Sequence, residues 1–326
     1  MRRLLLAAAI PVALGLTAGT ATAKTIGRTA SAPCSAVYPL PGAVDFPEGI
    51  VLDHAHHNFY VSDTHTGGIS RGQLGDPNSV TPFIPGPQVP GTILGVRIDH
   101  QDHLAAAGGF AGTITIYNRK TGARLRTFTT GATDAINDIA VAKNGDLYAT
   151  DSFVPILWRV PARLLRSGTT APAEAWLNLT GTAIVYTTGY NLNGIAPTRD
   201  GRYLIVTQST TRKLYRIDLA TKQVSEVDVN GEAVDGDGIQ LVGHTLYAID
   251  PRRAEIIKIA FSPDYAHGRV LSRTGDPTFA YPTGLALAGD RVLVVNSQFD
   301  KMFATSLPSY LSPCRASQSR KDNRTS

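Results

Sequence analysis

Cysteine, methionine and tryptophan appear only twice each in 326 residues, and no long apolar run occurs after the first sixteen. Two thiols are too few to frame a fold with many disulfides. A membrane span needs roughly 20 apolar residues; nothing beyond the N terminus approaches that, so no membrane partner is expected. Charge of one sign is scarce in the body as well. The formal +5 comes from Arg2 and Arg3 at one end and from Arg315, Arg320, Lys321 and Arg324, offset by Asp322, at the other. A body without net charge excludes a basic nucleic-acid surface.

The ends carry their own signals. Met1-Arg2-Arg3, the apolar run Leu4 to Leu16 and the small-residue site Ala21-Thr22-Ala23 read as a secretory leader cut after Ala23. Pro11, Gly15 and Gly19 interrupt the run, which argues against a membrane anchor. The expected organisation is a signal peptide over 1–23, a linker over 24–33, a folded body over 34–314 and a mobile basic tail over 315–326. Cys34 and Cys314 bracket the body. In an exported chain with an even cysteine count, a Cys34–Cys314 disulfide is the expectation. Such a bond requires a fold that brings its ends together, as a closed ring does.

One unit recurs six times: a polar or apolar residue, usually glycine, a branched apolar residue, a turn and a second apolar strand. The copies begin at Glu48-Gly49-Ile50, Leu94-Gly95-Val96, Asn137-Asp138-Ile139, Asn193-Gly194-Ile195, Asp237-Gly238-Ile239 and Thr283-Gly284-Leu285, at spacings of 46, 43, 56, 44 and 46. The segments are rich in Val, Ile, Thr and Tyr, which favour strands, and Asn144-Gly145 and Asp200-Gly201 supply tight turns. A repeat of this length, with room for about four short strands, is the signature of a propeller blade. The sequence therefore predicts an all-β, six-bladed propeller. The long third spacing reads as an insertion with a short helical turn near Ala162 to Leu165. The last copy lacks an outer strand after Val292–Asn296 and Met302–Ser306, so Ala36–Leu40 is expected to complete it, with the disulfide locking the seam.

In a propeller the first strand of each blade lines the axis, so the residues opening the copies converge. Glu48, Asn137, Asn193 and Asp237 bring carboxylate and amide oxygens there, with no Cys or His among them. Two anionic and two neutral hard oxygens suit Ca²⁺, with Mg²⁺, Mn²⁺ or Zn²⁺ as alternatives. Single Asn and Asp residues commonly serve turns; four at one repeat position are harder to explain that way. The ends of the second strands return to the same face. Asp151, Ser152, Phe153, Asp250 and Asn296 are therefore expected to rim the pocket with Tyr190 and Tyr281, and His65 is the histidine placed nearest the metal.

Phe46-Pro47-Glu48-Gly49-Ile50, Ile136-Asn137-Asp138-Ile139, Leu192-Asn193-Gly194-Ile195-Ala196 and Gly236-Asp237-Gly238-Ile239 together resemble the metal-ligand motifs of the senescence marker protein/gluconolactonase superfamily, with paraoxonases as distant relatives. The resemblance covers about residues 44 to 306 and points to a secreted bacterial branch. It implies calcium ligation by Glu48, Asn137, Asn193 and Asp237. It also implies hydrolysis of small-molecule lactones or related esters, with Asp237 as proton acceptor and His65 as a candidate helper. A monomer is expected. The departure is at blade two, where Leu94-Gly95-Val96 stands in place of the paraoxonase wall histidine. A non-enzymatic propeller with a structural calcium and a ligand-binding rim is the alternative.

Overall fold

The computed structural model describes residues 37–42, 46–86, 93–131, 135–167, 171–301 and 310–315. The expected leader, Cys34 and residues 316–326 lie outside them. Six four-stranded antiparallel sheets follow one another along the chain as the blades of a propeller. Their inner strands are Pro47–Asp53, Val96–Ile98, Ile136–Val141, Leu192–Pro197, Ile239–Val242 and Pro282–Ala288. The first five blades are built from four consecutive strands each. Blade six takes three strands from the C-terminal end and its outermost, Tyr38–Pro39, from the N-terminal end. Among the described residues no helix is long and apolar enough to cross a membrane.

Blade packing explains why alternating apolar strands choose this architecture. Each pair of neighbouring blades buries its own apolar cluster. Tyr60, Ile69 and Ile84 of blade one meet Val96, Leu104 and Tyr117 of blade two. Ile50 and Phe59 of blade one meet Leu293 and Val295 of blade six across the seam. Fully burying one such side chain contributes about 1.5–3 kcal/mol, so a missing blade would expose two clusters at once. The core is thus a ring of six interfaces, and the axis stays free for polar groups.

Two details correct the sequence expectation at the seam. The third strand of blade six is Tyr310–Arg315, paired with Arg291–Asn296, and not Met302–Ser306, which lies outside the described residues. The Cys34–Cys314 disulfide is also set aside as the closure of the fold, because Cys34 lies outside the described residues and no cysteine pair occurs among them. Closure is instead the hydrogen-bonded pairing of Tyr38 with Leu311 and of Pro39 with Tyr310. Cys314 is buried in the cluster between blades five and six. A helix at Ala162–Ser167 falls where the insertion was expected to turn.

The inner strands are irregular where they open. Pairing shifts register between Pro47 and Ile50, Ile136 and Ile139, Leu192 and Ile195, and Pro282 and Leu285. A bulge bends a strand and re-aims its side chains, and here it turns the repeat-opening residue toward the axis. The glycine that follows allows close approach of the next blade: a Cβ on Gly49 would lie 2.7 Å from Leu94 O, and one on Gly194 would overlap Asp237 O. Hydroxyls from the second strands stitch the ring, Ser62 donating to Leu94 O at 2.6 Å and Thr150 to Asn193 O at 2.7 Å. Gly194→Ala is expected to cost about 1–3 kcal/mol by overpacking. It should appear as a lower urea midpoint at unchanged m-value.

Candidate functional site

A cavity of about 750 Å³ opens on one face of the ring. Its lining includes Glu48, Leu94, Asn137, Asn193 and Asp237, the openers of five of the six repeats. The sixth, Thr283, is fully buried and spends its hydroxyl on Glu48 O at 3.0 Å and on Ser297, tying blade six to blade one. The four residues expected to share an ion therefore line one cavity: Glu48, Asn137 and Asn193 at bulged strand openings, and Asp237 two residues before the inner strand of blade five.

Their oxygens are oriented by neighbours. Ser152 donates its hydroxyl to Leu192 O at 2.8 Å, so toward Asn137 it can only accept, and Asn137 Nδ2 donates to it at 2.9 Å. That leaves Asn137 Oδ1 buried and without a hydrogen-bond partner. Asn193 repeats the arrangement, its Nδ2 donating to Ser209 Oγ at 3.2 Å and its Oδ1 buried without a partner. Glu48 Oε2 is a third such atom. A buried acceptor left unpaired costs about 1–3 kcal/mol, and three on one cavity call for a shared electropositive occupant. Ser152→Ala would release the Asn137 amide. Loss of such an outer partner typically weakens metal affinity 10–100-fold, so a divalent cation held by Asn137 Oδ1 would bind this variant about tenfold or more weakly in a calorimetric titration.

Electrostatics point the same way. Burial pushes the Glu48 carboxyl well above its ordinary range, with Asp237 and Asp138 adding to the rise and Arg97 opposing it. Burial and then Asp235 push Asp237 up to about 8, against a side-chain contact from Asn193. Beneath Glu48 and Asp237 the channel narrows and is lined by Arg97 and Asp138. Those two pair at 2.9 Å. Asp138 stands at the repeat position that is glycine in the other five blades, and its Oδ2 also accepts from Ile195 N at 3.3 Å. Three carboxylates and one guanidinium thus line the narrow channel, and the repulsion of Asp237 and Asp138 adds to burial in raising the Glu48 carboxyl.

Other expected residues fall into two groups. His65, Tyr190 and Tyr281 line the cavity, and Phe153 is exposed at its mouth, in contact with Tyr190 at 5.1 Å between ring centres. Asp151, Asp250 and Asn296 are fully buried and do not line it. Asp151 Oδ1 accepts from Phe153 N and Val154 N at 2.9 Å each, Asp250 pairs with Arg212 at 3.2 Å, and Asn296 accepts from Ala280 N at 2.9 Å. They hold the loops that form the rim. Ser152 is buried too and acts by orienting Asn137.

Sequence reasoning missed Asp235 and Arg252. Asp235 lines the cavity with both carboxylate oxygens buried and unpaired by hydrogen bonds, and Arg252 faces it at 3.4 Å. Burial and then Asp250 raise its carboxyl to about 6, with Arg252 opposing. The signal was its spacing of two from Asp237, which puts both side chains on one face of an extended segment. Among the described residues no three His, Cys, Asp or Glu side chains gather closely enough to hold a metal by themselves. The candidate set is a mixture of carboxylate and amide oxygens.

No family model matches the sequence, and no curated protein is similar enough to count as a match. Solved structures are similar in fold. The major Malassezia sympodialis allergen Mala s 1 has a TM-score of 0.63 at 15% identity, over 85% of this chain and 95% of that one. A calcium-binding protein, regucalcin, from Agrobacterium tumefaciens gives 0.60 at 14%, over 88% and 96%. A catalytically inactive virginiamycin B lyase from Staphylococcus aureus with quinupristin gives 0.55 at 12%, over 86% and 98%. At such identities the likeness defines the architecture, a six-bladed propeller, and no more.

Proposed function

We propose that the chain is an exported, divalent-metal-dependent hydrolase of lactones or related esters, with calcium held by Glu48, Asn137, Asn193 and Asp237. The observation that carries the reading is the set of three buried, unpaired acceptor oxygens, Glu48 Oε2, Asn137 Oδ1 and Asn193 Oδ1, around one cavity. Hard oxygen donors of mixed charge fit calcium. The calcium-binding regucalcin of similar fold and the motif resemblance support the same choice. When bound, the ion supplies Lewis-acid polarisation of the substrate carbonyl.

The chain's own residues do the rest. Asp237 accepts a proton from the water whose oxygen attacks the acyl carbon, and the departing alkoxide takes that proton back. Arg252 keeps Asp235 neutralised at the cavity wall, and the rim rings exclude bulk water from the floor. His65, whose ring meets the Phe46 ring edge-on at 6.2 Å between centres, stands at the mouth as a helper in proton transfer. Export follows from the Met1 to Ala23 leader pattern.

A panel of lactones and esters assayed with calcium and with chelator tests the reading. Turnover that calcium restores after chelation is the expected result; no turnover on any member would overturn it. The second reading, a ligand-binding propeller with a structural ion, is favoured by the presence of a single histidine, His65, among the cavity-lining residues. In that case chelation would lower the melting temperature while no member of the panel was ever turned over.

A further inference from the structure

Three aromatic rings at the cavity mouth are exposed to solvent: Phe110 at 57%, Tyr190 at 48% and Phe153 at 40%. Among the described residues no other phenylalanine or tyrosine is as exposed, and the three are contiguous. Phe110 and Phe153 stack at 5.9 Å with 24° between planes, and Phe153 meets Tyr190 at 5.1 Å. The three come from separate places in the chain: the loop after the second strand of blade two, the same loop of blade three, and the segment leading into blade four. No single loop's folding requires them to meet. Contiguous exposed apolar surface is costly to leave in water and commonly marks a binding site.

The cavity below has a matching asymmetry. Opposite this shelf, Phe46, Tyr281 and Phe299 form a second aromatic wall, with Phe299 6.3 Å from Phe46 and 6.0 Å from Tyr281. Above the floor the polar lining is Thr64 and His65 beside Phe46, Ser209, and the Asp235–Arg252 pair. At about 750 Å³ the space suits a ligand well beyond a single small ring. A sugar lactone would bring its hydroxyls to walls where aromatic carbon predominates, at a desolvation cost.

We infer that Phe110, Phe153 and Tyr190 form a ring-binding subsite, which selects substrates carrying a flat apolar ring at a distance from the reacting carbonyl. The inference rests on the hydrolase reading for what happens at the floor, but ring binding itself needs neither metal nor turnover.

The test uses two probes with no bond to hydrolyse, 2-naphthol and cyclohexanol, titrated calorimetrically into the full chain in chelator and in calcium. Stacking contributes about 0.5–1.5 kcal/mol per aromatic contact beyond buried area, roughly three- to tenfold in affinity. Naphthol should bind at least about tenfold more tightly than cyclohexanol in both buffers. Phe153→Leu, which keeps apolar bulk, and Phe110→Ala should each weaken naphthol by about three- to tenfold. Val242→Ala, an exposed apolar change on blade five, should leave it unaltered. Equal affinity for the two probes, or naphthol binding indifferent to both aromatic variants, would overturn the subsite. Naphthol binding by a protein that hydrolyses nothing would uphold the subsite and remove the hydrolase reading, so the two failures are separable.

Discussion

Calcium added to chelator-treated protein is expected to raise the melting temperature by about 5–10 °C at pH 8, and by clearly less at pH 5. An ion present at a hundredfold its Kd stabilises by about 2.7 kcal/mol, and a domain of this size shifts by about 2–4 °C per kcal/mol. The pH dependence follows from the floor carboxylates. An unfolded Asp or Glu titrates near 4, whereas Asp235 is held up to about 6 and Asp237 to about 8, and Glu48 is raised as well. Between those limits the folded, metal-free protein binds more protons than the unfolded chain. The contribution of these three groups to stability is therefore full below about pH 4 and falls as pH rises through 6 and 8. A cation displaces those protons, so its affinity climbs over the same window. Differential scanning fluorimetry at several pH values, with chelator and with calcium, reads both effects. A calcium shift that did not grow with pH would break the link between the carboxylates and the ion.

Replacing Asp237 should separate function from stability. Asp237→Ala is expected to abolish measurable calcium binding and to lower chelator-sensitive turnover by at least about a hundredfold, the usual loss when a main electrostatic stabiliser is removed. Asp237→Asn removes the charge and keeps the shape. In chelator at pH 8 it should melt above the wild type, because the buried carboxylate raised to about 8 is gone. In saturating calcium it should melt below the wild type. A residue that merely capped a strand would lower stability in both buffers, and full activity in Asp237→Ala would exclude its role as proton acceptor.

The sequence carried the ring and its floor because both are periodic. Six openings at similar spacing, five of them centred on glycine, could be aligned without a structure, and alignment alone predicts that Glu48, Asn137, Asn193 and Asp237 share an axis. The rim was less legible. Asp151, Asp250 and Asn296 end second strands as a pocket residue would, yet an Asp or Asn there is equally suited to accepting backbone N–H groups of the following loop. In this fold those backbone groups hold them, and the burial of Asp151 behind Trp158, whose Nε1 donates to it at 3.2 Å, completes the turn. Phe110 gave no signal, since one aromatic in a loop has no period. Its meaning comes only from contact with Phe153, which the chain brings about across two blades. Met302–Ser306 looked like a third strand by apolar content, but register with Arg291–Asn296 is taken by Tyr310–Arg315.

Asp138 shows how one exception to a repeat can matter. Where five blades keep glycine, its carboxylate enters the axis and recruits Arg97, leaving a guanidinium directly under the acidic floor. That positive charge opposes the rise of the Glu48 carboxyl, to which Asp138 itself adds.

The most direct measurement is crystallographic: crystals soaked in calcium, or in terbium as its anomalous substitute, and a difference map at the cavity floor. A single peak about 2.3–2.6 Å from oxygens of Glu48, Asn137, Asn193 and Asp237 together is the predicted result. A floor without a peak, or an ion bound elsewhere while these four side chains stay unliganded, would contradict it.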